Sequence, residues 1–386
     1  MASIPLLDLK LQFQGMREEI LAAVTEVLES QRLILGPRVA ELETQIASLT
    51  GVRHAVGCAS GSDAILLALA ACGVTGGAKV VTSPFSFFAS AGSIAHAGGR
   101  PLFCDIEPDT FNMDPRLLAA ALSSEVRAAL PVHLFGQCAD MDPILAACGA
   151  RGIPVVEDAA QAIGATYRGS NGGGPERRAG SMGRAGCISF FPSKNLGGAG
   201  DGGMVTTGDD ELAARLRLLR VHGGRKMYHH EQIGWNSRLD ELQAAVLLVK
   251  LGRLATWSEA RAQRAGFYDR LFNESGLPSR GLVTPPVIKP GRGHIFHQYT
   301  IRAQRRDSLR EHLESAGIAT GVYYPVPLHL QECFRPLGYA KGDFPQSERA
   351  CEEVLSLPVY PELTEQAQRT VVGAISSFYG LATQRA

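Results

Sequence analysis

Between Gly51 and Thr207 the chain alternates short β-rich runs with helix-length stretches, and this alternation constrains the fold more than any other feature. The strand candidates are Ala55–Cys58, Lys79–Thr82, Pro101–Asp105, Ala128–Leu134, Pro154–Asp158, Cys187–Phe191 and Met204–Thr207. Helices fit the intervals over Ser62–Ala71, Ala89–His96, Asp140–Ala150 and Asp209–Val221. Strands linked by helical crossovers lie side by side in one direction, so the expected class is α/β with a mainly parallel sheet. In such sheets ligands collect outside the carboxyl ends of the strands, where each strand hands over to a loop.

At 386 residues the chain is longer than a single core usually sustains, so two domains sharing a cleft are expected. The division predicted is a large domain over 1–250 and a smaller α+β C-terminal domain over 251–386. Asp240 to about Arg270 carries a long apolar periodicity without Pro and predicts one extended helix leaving the first domain. Beyond it, Gln298–Arg302 reads as a strand, and Arg306–Ser315 and Gln366–Tyr379 as helices. Gly169–Gly183 is polar and Gly-rich and reads as a mobile surface loop.

The 38 basic side chains balance the 38 acidic ones, which excludes a broad nucleic-acid-binding face. The eight cysteines are scattered, form no CxxC pair and read as free thiols of a reducing compartment. The first thirty residues lack the apolar core of a secretion signal, and no apolar run approaches the ~20 residues that span a bilayer. A cytoplasmic protein with no membrane partner is expected.

Lys194 stands between the apolar run ending at Phe191 and a Gly-rich turn ending at Gly203. An exposed lysine is protonated and a poor nucleophile, whereas one on a strand-edge loop with a depressed pKa can form a Schiff base with an aldehyde. Lys194 is therefore a candidate anchor for pyridoxal phosphate. Gly198, Gly200 and Gly203 satisfy the GxGxxG spacing, but Met204–Thr207 reads as a strand where a dinucleotide fingerprint requires a helix. No GxxxxGK[ST] loop occurs.

Four further segments fall at predicted strand ends. In Ala59-Ser-Gly-Ser-Asp63 the amides of Ser62 and Asp63 would point from a helix N-terminus toward a phosphate, unless these residues only cap the helix. Asp158 closes a buried strand and needs a cationic partner, which a pyridinium N–H would supply. A metal is the alternative, but other ligands at useful spacing are absent, so none is expected. Phe87, in Ser83-Pro-Phe-Ser-Phe87-Phe88, could lie against a planar ring and is favoured over Phe88, with core packing as the alternative. Ser189 offers a hydroxyl to a phosphate or is simply a satisfied strand serine.

Taken together, GSDA, SPFSFF, EDAAQAIGA, SFFPSKNLGGAGDGG and GWNSRLDELQAA follow the order seen in the DegT/DnrJ/EryC1/StrS family of sugar aminotransferases, which the chain resembles over nearly its whole length. The resemblance implies the type I aspartate-aminotransferase fold, working as a homodimer with shared active sites. It implies Lys194 as the Schiff-base lysine, Asp158 as partner of the pyridine nitrogen, Gln161 near the ring hydroxyl and Phe87 as the stacking aromatic. Ser62, Asp63 and Ser189 would hold the phosphate, with Asn236 reaching it from the other subunit. Tyr324 and His329, in a loop similar to the family's substrate side, are candidates for sugar contacts or for loop packing.

Arg238 could grip a carboxylate through two parallel bonds. The stretch from Tyr228-His-His230 to Arg238 looks like members acting on 3-keto uronic acid nucleotides. The implied activity is transfer of an amino group from L-glutamate to a nucleotide-linked keto-sugar by a ping-pong route. Ile163 stands where many members carry His, Ser62 where Thr is usual and Tyr323 where some have His, and the loop around Gly172 is enlarged. These departures bear on the sugar rather than on the cofactor. A related dehydratase would carry His in place of Lys194, and a silent, cofactor-binding regulator would usually bring a DNA-binding module.

Overall fold

A computed structural model describes residues 3–381. The expected strands form as β1 (His54–Cys58), β2 (Lys79–Thr82), β3 (Arg100–Phe103), β4 (Val126–Leu130), β5 (Val156–Asp158), β6 (Ala185–Ser189) and β7 (Gly203–Thr207). Two blocks, β1-β7-β6-β5 and β4-β2-β3, join through parallel bridges between Ala129 and Val155 and between Val132 and Asp158. The β5–β6, β2–β3 and β2–β4 pairs are parallel, and β7 alone runs against its neighbours. The Gly-rich connection from β6 to β7 holds no helix to carry the chain back across the sheet, so β7 returns antiparallel. It is a strand, as the residues after Gly203 predict.

In the helix Gly61–Ala71 every residue from Ala64 to Ala71 is apolar and buried, so beyond its first turn no face is polar. Such a helix belongs to an interior. It packs on β6 and β7 beneath the helices Phe88–His96 and Asp210–Leu219. Its first turn therefore sits at the carboxyl edge of the sheet, beside the ends of β5 and β6.

One helix was expected from Asp240 to about Arg270, and there are two, Glu241–Leu251 and Leu254–Ser275. They break at Gly252 and Arg253, because Gly gives up most backbone freedom in a helix interior. The second helix stops at Gly276, which takes the left-handed conformation at φ 69. The Gly169–Gly183 segment is not wholly a loop either. Arg177–Arg178 pairs with Thr166–Tyr167, an Arg168–Glu176 ion pair of 2.7 Å closes the turn, and Arg177 bonds to Asp142.

The C-terminal part is a three-stranded antiparallel sheet of β8 (Val283–Thr284), β9 (Tyr299–Ala303) and β10 (Val354–Leu357), in the order β8-β9-β10. Leu254–Ser275, Arg306–Ser315 and Glu365–Phe378 cover it around a core that includes Tyr268, Phe272, Ile301, Leu355 and Ile375. The start of the chain joins this layer, with Ile4 bridged to Ile318. No helix among the described residues is long and apolar enough to cross a membrane.

Candidate active site

The carboxyl ends of β1, β2, β5 and β6 open onto a cavity of about 470 Å³ whose far wall comes from the C-terminal part. It is lined by Ser62, Phe87, Asp158, Gln161, Ser189, Lys194 and Tyr324, residues spread over more than 260 positions of sequence. Parallel topology converges them, because each strand delivers its last residue to the same edge.

Asp158 is 4% exposed at the end of β5. Its carboxylate accepts from Ser90 Oγ at 2.7 Å and from the Ala160 N–H at 3.2 Å. Burial pushes its pKa up, against the pull of those two bonds and of Lys194. No cation lies within ion-pair distance of it among the described residues, so it is an acceptor in search of a positive partner. Lys194 is half-buried in the turn after β6, its N–H donating to Phe191 O at 2.8 Å. Burial lowers its pKa to about 8, with Asp158 opposing the fall.

Between these two groups and the helix Gly61–Ala71 lies a cradle. Ser60 caps the helix by accepting from the Asp63 N–H at 3.0 Å. Gly61 packs so closely on β6 that a Cβ there would lie 2.5 Å from Ser189 Cβ. The N-terminal amides and the hydroxyls of Ser62 and Ser189 thus face one space, in the geometry that favours a phosphate. Asp63 does not line the cavity: its N–H is committed to Ser60 and its carboxylate accepts from Ser237 Oγ at 2.6 Å.

Gln161 is held at both ends, accepting from the Phe135 N–H at 2.8 Å and donating to Tyr324 Oη at 3.0 Å. Phe87, 56% exposed, stands 6.1 Å from the Tyr324 ring, whereas Phe88 turns away and stacks on Phe334. Asn236 is exposed and Arg238 half-buried, and neither lines this cavity. His329 does not reach it. The short turn Leu328–Leu330 tucks its ring, 1% exposed, between Phe103 and Phe344, with Nε2 3.1 Å from Glu348. The expectation of a sugar contact there is corrected to one of core packing.

Several residues in or behind the cavity wall escaped the sequence reading. Ser86 and Ser90 form a relay behind Asp158, 2.8 Å apart, and their i, i+4 spacing at the start of a helix was the available signal. His297 is neutral, its pKa far depressed by burial and by Lys194. Asn195 donates through Nδ2 to Ile295 O, so its Oδ1 accepts from His297 Nδ1–H, leaving Nε2 as the basic nitrogen. Arg261 and Tyr323 complete the far wall.

A buried carboxylate without a cation, a lysine whose pKa burial lowers to about 8 and an anion cradle at a helix start fit pyridoxal phosphate in ring, aldehyde and phosphate. With the fold, they define a pyridoxal phosphate-dependent aminotransferase of the type I class. Residues 14–376 match the DegT/DnrJ/EryC1/StrS aminotransferase family, and the chain belongs to it. It is 50% identical over 377 residues to a pleiotropic regulatory protein of Geobacillus stearothermophilus, covering 98% of this chain and 99% of that protein. It is 42% identical over 364 residues to the UDP-N-acetyl-3-dehydro-α-D-glucosamine 3-aminotransferase of Acidithiobacillus ferrooxidans, covering 94% and 95%. The crystal structure of Streptomyces venezuelae DesV in complex with a ketimine intermediate is similar at a TM-score of 0.93 and 40% identity, covering 99% of this chain and all of that one.

Proposed function

We propose that the protein moves an amino group from L-glutamate to a nucleotide-linked 3-keto sugar, in two half-reactions at one cavity. The observation that carries this reading is the convergence of Lys194, Asp158 and the Gly61–Ser62 cradle on a single cavity. Relatives named for 3-keto sugar nucleotides support the acceptor class. Pyridoxal phosphate, when bound, supplies an aldehyde that exchanges amino groups and a ring that accepts electrons. Asp158 would hold a proton on the ring nitrogen, kept in place by Ser90 and Ala160. Ser62, Ser189 and the helix amides would hold the phosphate, Phe87 would lie against the ring and Gln161 would meet its hydroxyl.

Lys194 would first tether the cofactor. Displaced by the donor's amine, its own amine is then free to take a proton from the donor's α-carbon and return it at the neighbouring position. Burial suits it to both roles, since an amine titrating near 8 gives and takes protons at neutral pH. Asn236 and Arg238 lie outside this chain's cavity and would serve the site of a second copy, Arg238 meeting the carboxylate of a uronate acceptor. The same reading places the protein in the cytoplasm and divides it at about residue 250.

The name of the Geobacillus relative keeps a second reading in view, in which the chain binds the cofactor only to sense it. One assay separates them. L-Glutamate should bleach the visible band of the loaded protein, and a panel of 3-keto and 4-keto nucleotide sugars, neutral and uronic, should restore it. A band that persists in glutamate would overturn the aminotransferase.

A further inference from the structure

We propose that Arg261 is the receptor for the carboxylate of the amino donor, presenting the Nε–Nη2 edge of its guanidinium to the cavity. The inference rests on the aminotransferase reading and names where its first substrate is held. Arg261 lies on the Leu254–Ser275 helix, 3% exposed, in the cavity wall opposite the sheet. Nη1 alone is engaged, donating to Val359 O at 2.8 Å, Phe296 O at 3.1 Å and His297 O at 3.4 Å. Among the described residues no hydrogen bond reaches Nε or Nη2, neither is both enclosed and unpartnered, and Arg261 lines the cavity, so this edge is free to meet a ligand there.

The other buried arginines are all matched by carboxylates. Arg220 pairs with Glu43 at 2.5 Å, Arg292 with Asp140 at 3.2 Å and Arg306 with Asp307 at 2.6 Å. Arg261 has no carboxylate within ion-pair distance among the described residues. Glu362 reaches it only through its field, and burial lowers its pKa to about 10. A guanidinium this deep is costly to bury without an anion. Its free edge carries two parallel N–H groups at the spacing of a carboxylate's two oxygens. Around it the far wall is neutral, with Gln298, Tyr323, Ser356 and the uncharged His297. With the cradle at the helix start reserved for a phosphate, a ligand bearing a carboxylate next to an amine meets one further anion receptor, in the same cavity that holds Lys194.

The test uses the cofactor-loaded protein and glutarate, the dicarboxylate that lacks glutamate's amine and cannot react. Calorimetry should show wild type binding glutarate, Arg261→Gln binding it about 100-fold more weakly, and Arg261→Lys, which keeps the charge but loses the fork, about 10-fold more weakly. In the donor half-reaction without sugar, KM for glutamate should rise by a similar factor, with the affinity for a neutral nucleotide sugar unchanged. Arg261→Lys serves if Arg261→Gln does not fold. Unaltered glutarate binding by a folded, loaded variant would overturn the proposal, as would a wild type that does not bind glutarate, or losses confined to a uronate acceptor. Because glutarate binding needs no turnover, failure of transamination and failure of this receptor are distinguishable.

Discussion

A pH series tests the environment of Lys194 without changing a residue. Burial brings this lysine from 10.5 to about 8. At pH 7 roughly a tenth of such amines are neutral, about 300-fold more than for a lysine titrating at 10.5. Covalent capture of pyridoxal phosphate by the cofactor-free protein, read from growth of the visible band, should climb about tenfold per pH unit to about 8 and then flatten. A climb that continues to pH 10 would mean that the cavity leaves Lys194 solvated. Stability supplies a second arm. Below pH 8 both folded and unfolded chains hold the proton, and the cost of burying it, ~3 kcal/mol at most because the side chain is only half-buried, is present in full. Between 8 and 10.5 the unfolded chain keeps a proton that the folded chain has shed, so stability rises with pH across that window. Lys194→Met should therefore unfold later in urea than wild type at pH 7 and at the same point near pH 10.5, while abolishing turnover. Lys250, also lowered to about 8, is present in both proteins and drops out of the difference. A gain independent of pH would refute the argument.

Three further outcomes follow from the geometry. Gly61→Ala places a methyl 2.5 Å from Ser189 Cβ, and the shift it forces, ~1–3 kcal/mol, should weaken cofactor retention tenfold or more in an absorbance titration. Wild-type affinity would remove the cradle from the site. His329→Ala should lower stability by about 3 kcal/mol with KM for the sugar unchanged, because that ring packs between Phe103 and Phe344. A raised KM at unchanged stability would restore His329 to the substrate. On the proposed homodimer with shared sites, mixing inactive Lys194→Ala and Asn236→Ala proteins should recover about a quarter of wild-type activity, since half of the random dimers would hold one intact site. No recovery would place Asn236 outside a shared site.

Local residue pattern was enough to read the sheet and the residues at its edge. Strand and helix periods differ, so the alternation from Gly51 to Thr207 was legible, and the parallel order carried Ser62, Asp158, Ser189 and Lys194 to one side. Asp158 and Lys194 were legible because a lone acid on a buried strand and a lysine before a Gly-rich turn are unusual in local pattern. Which polar residues beyond that edge face the cavity was settled by long-range packing. His329 and Tyr324 share one loop, yet one is sealed in an aromatic cluster and the other meets Gln161. Arg261 and Arg264 are one turn apart on the same helix, and only Arg261 is in the wall. Periodicity within an element says which residues share its face. What packs against that face is set by contacts between segments far apart in the chain, and those contacts decide whether a charge is hidden, matched or left for a ligand.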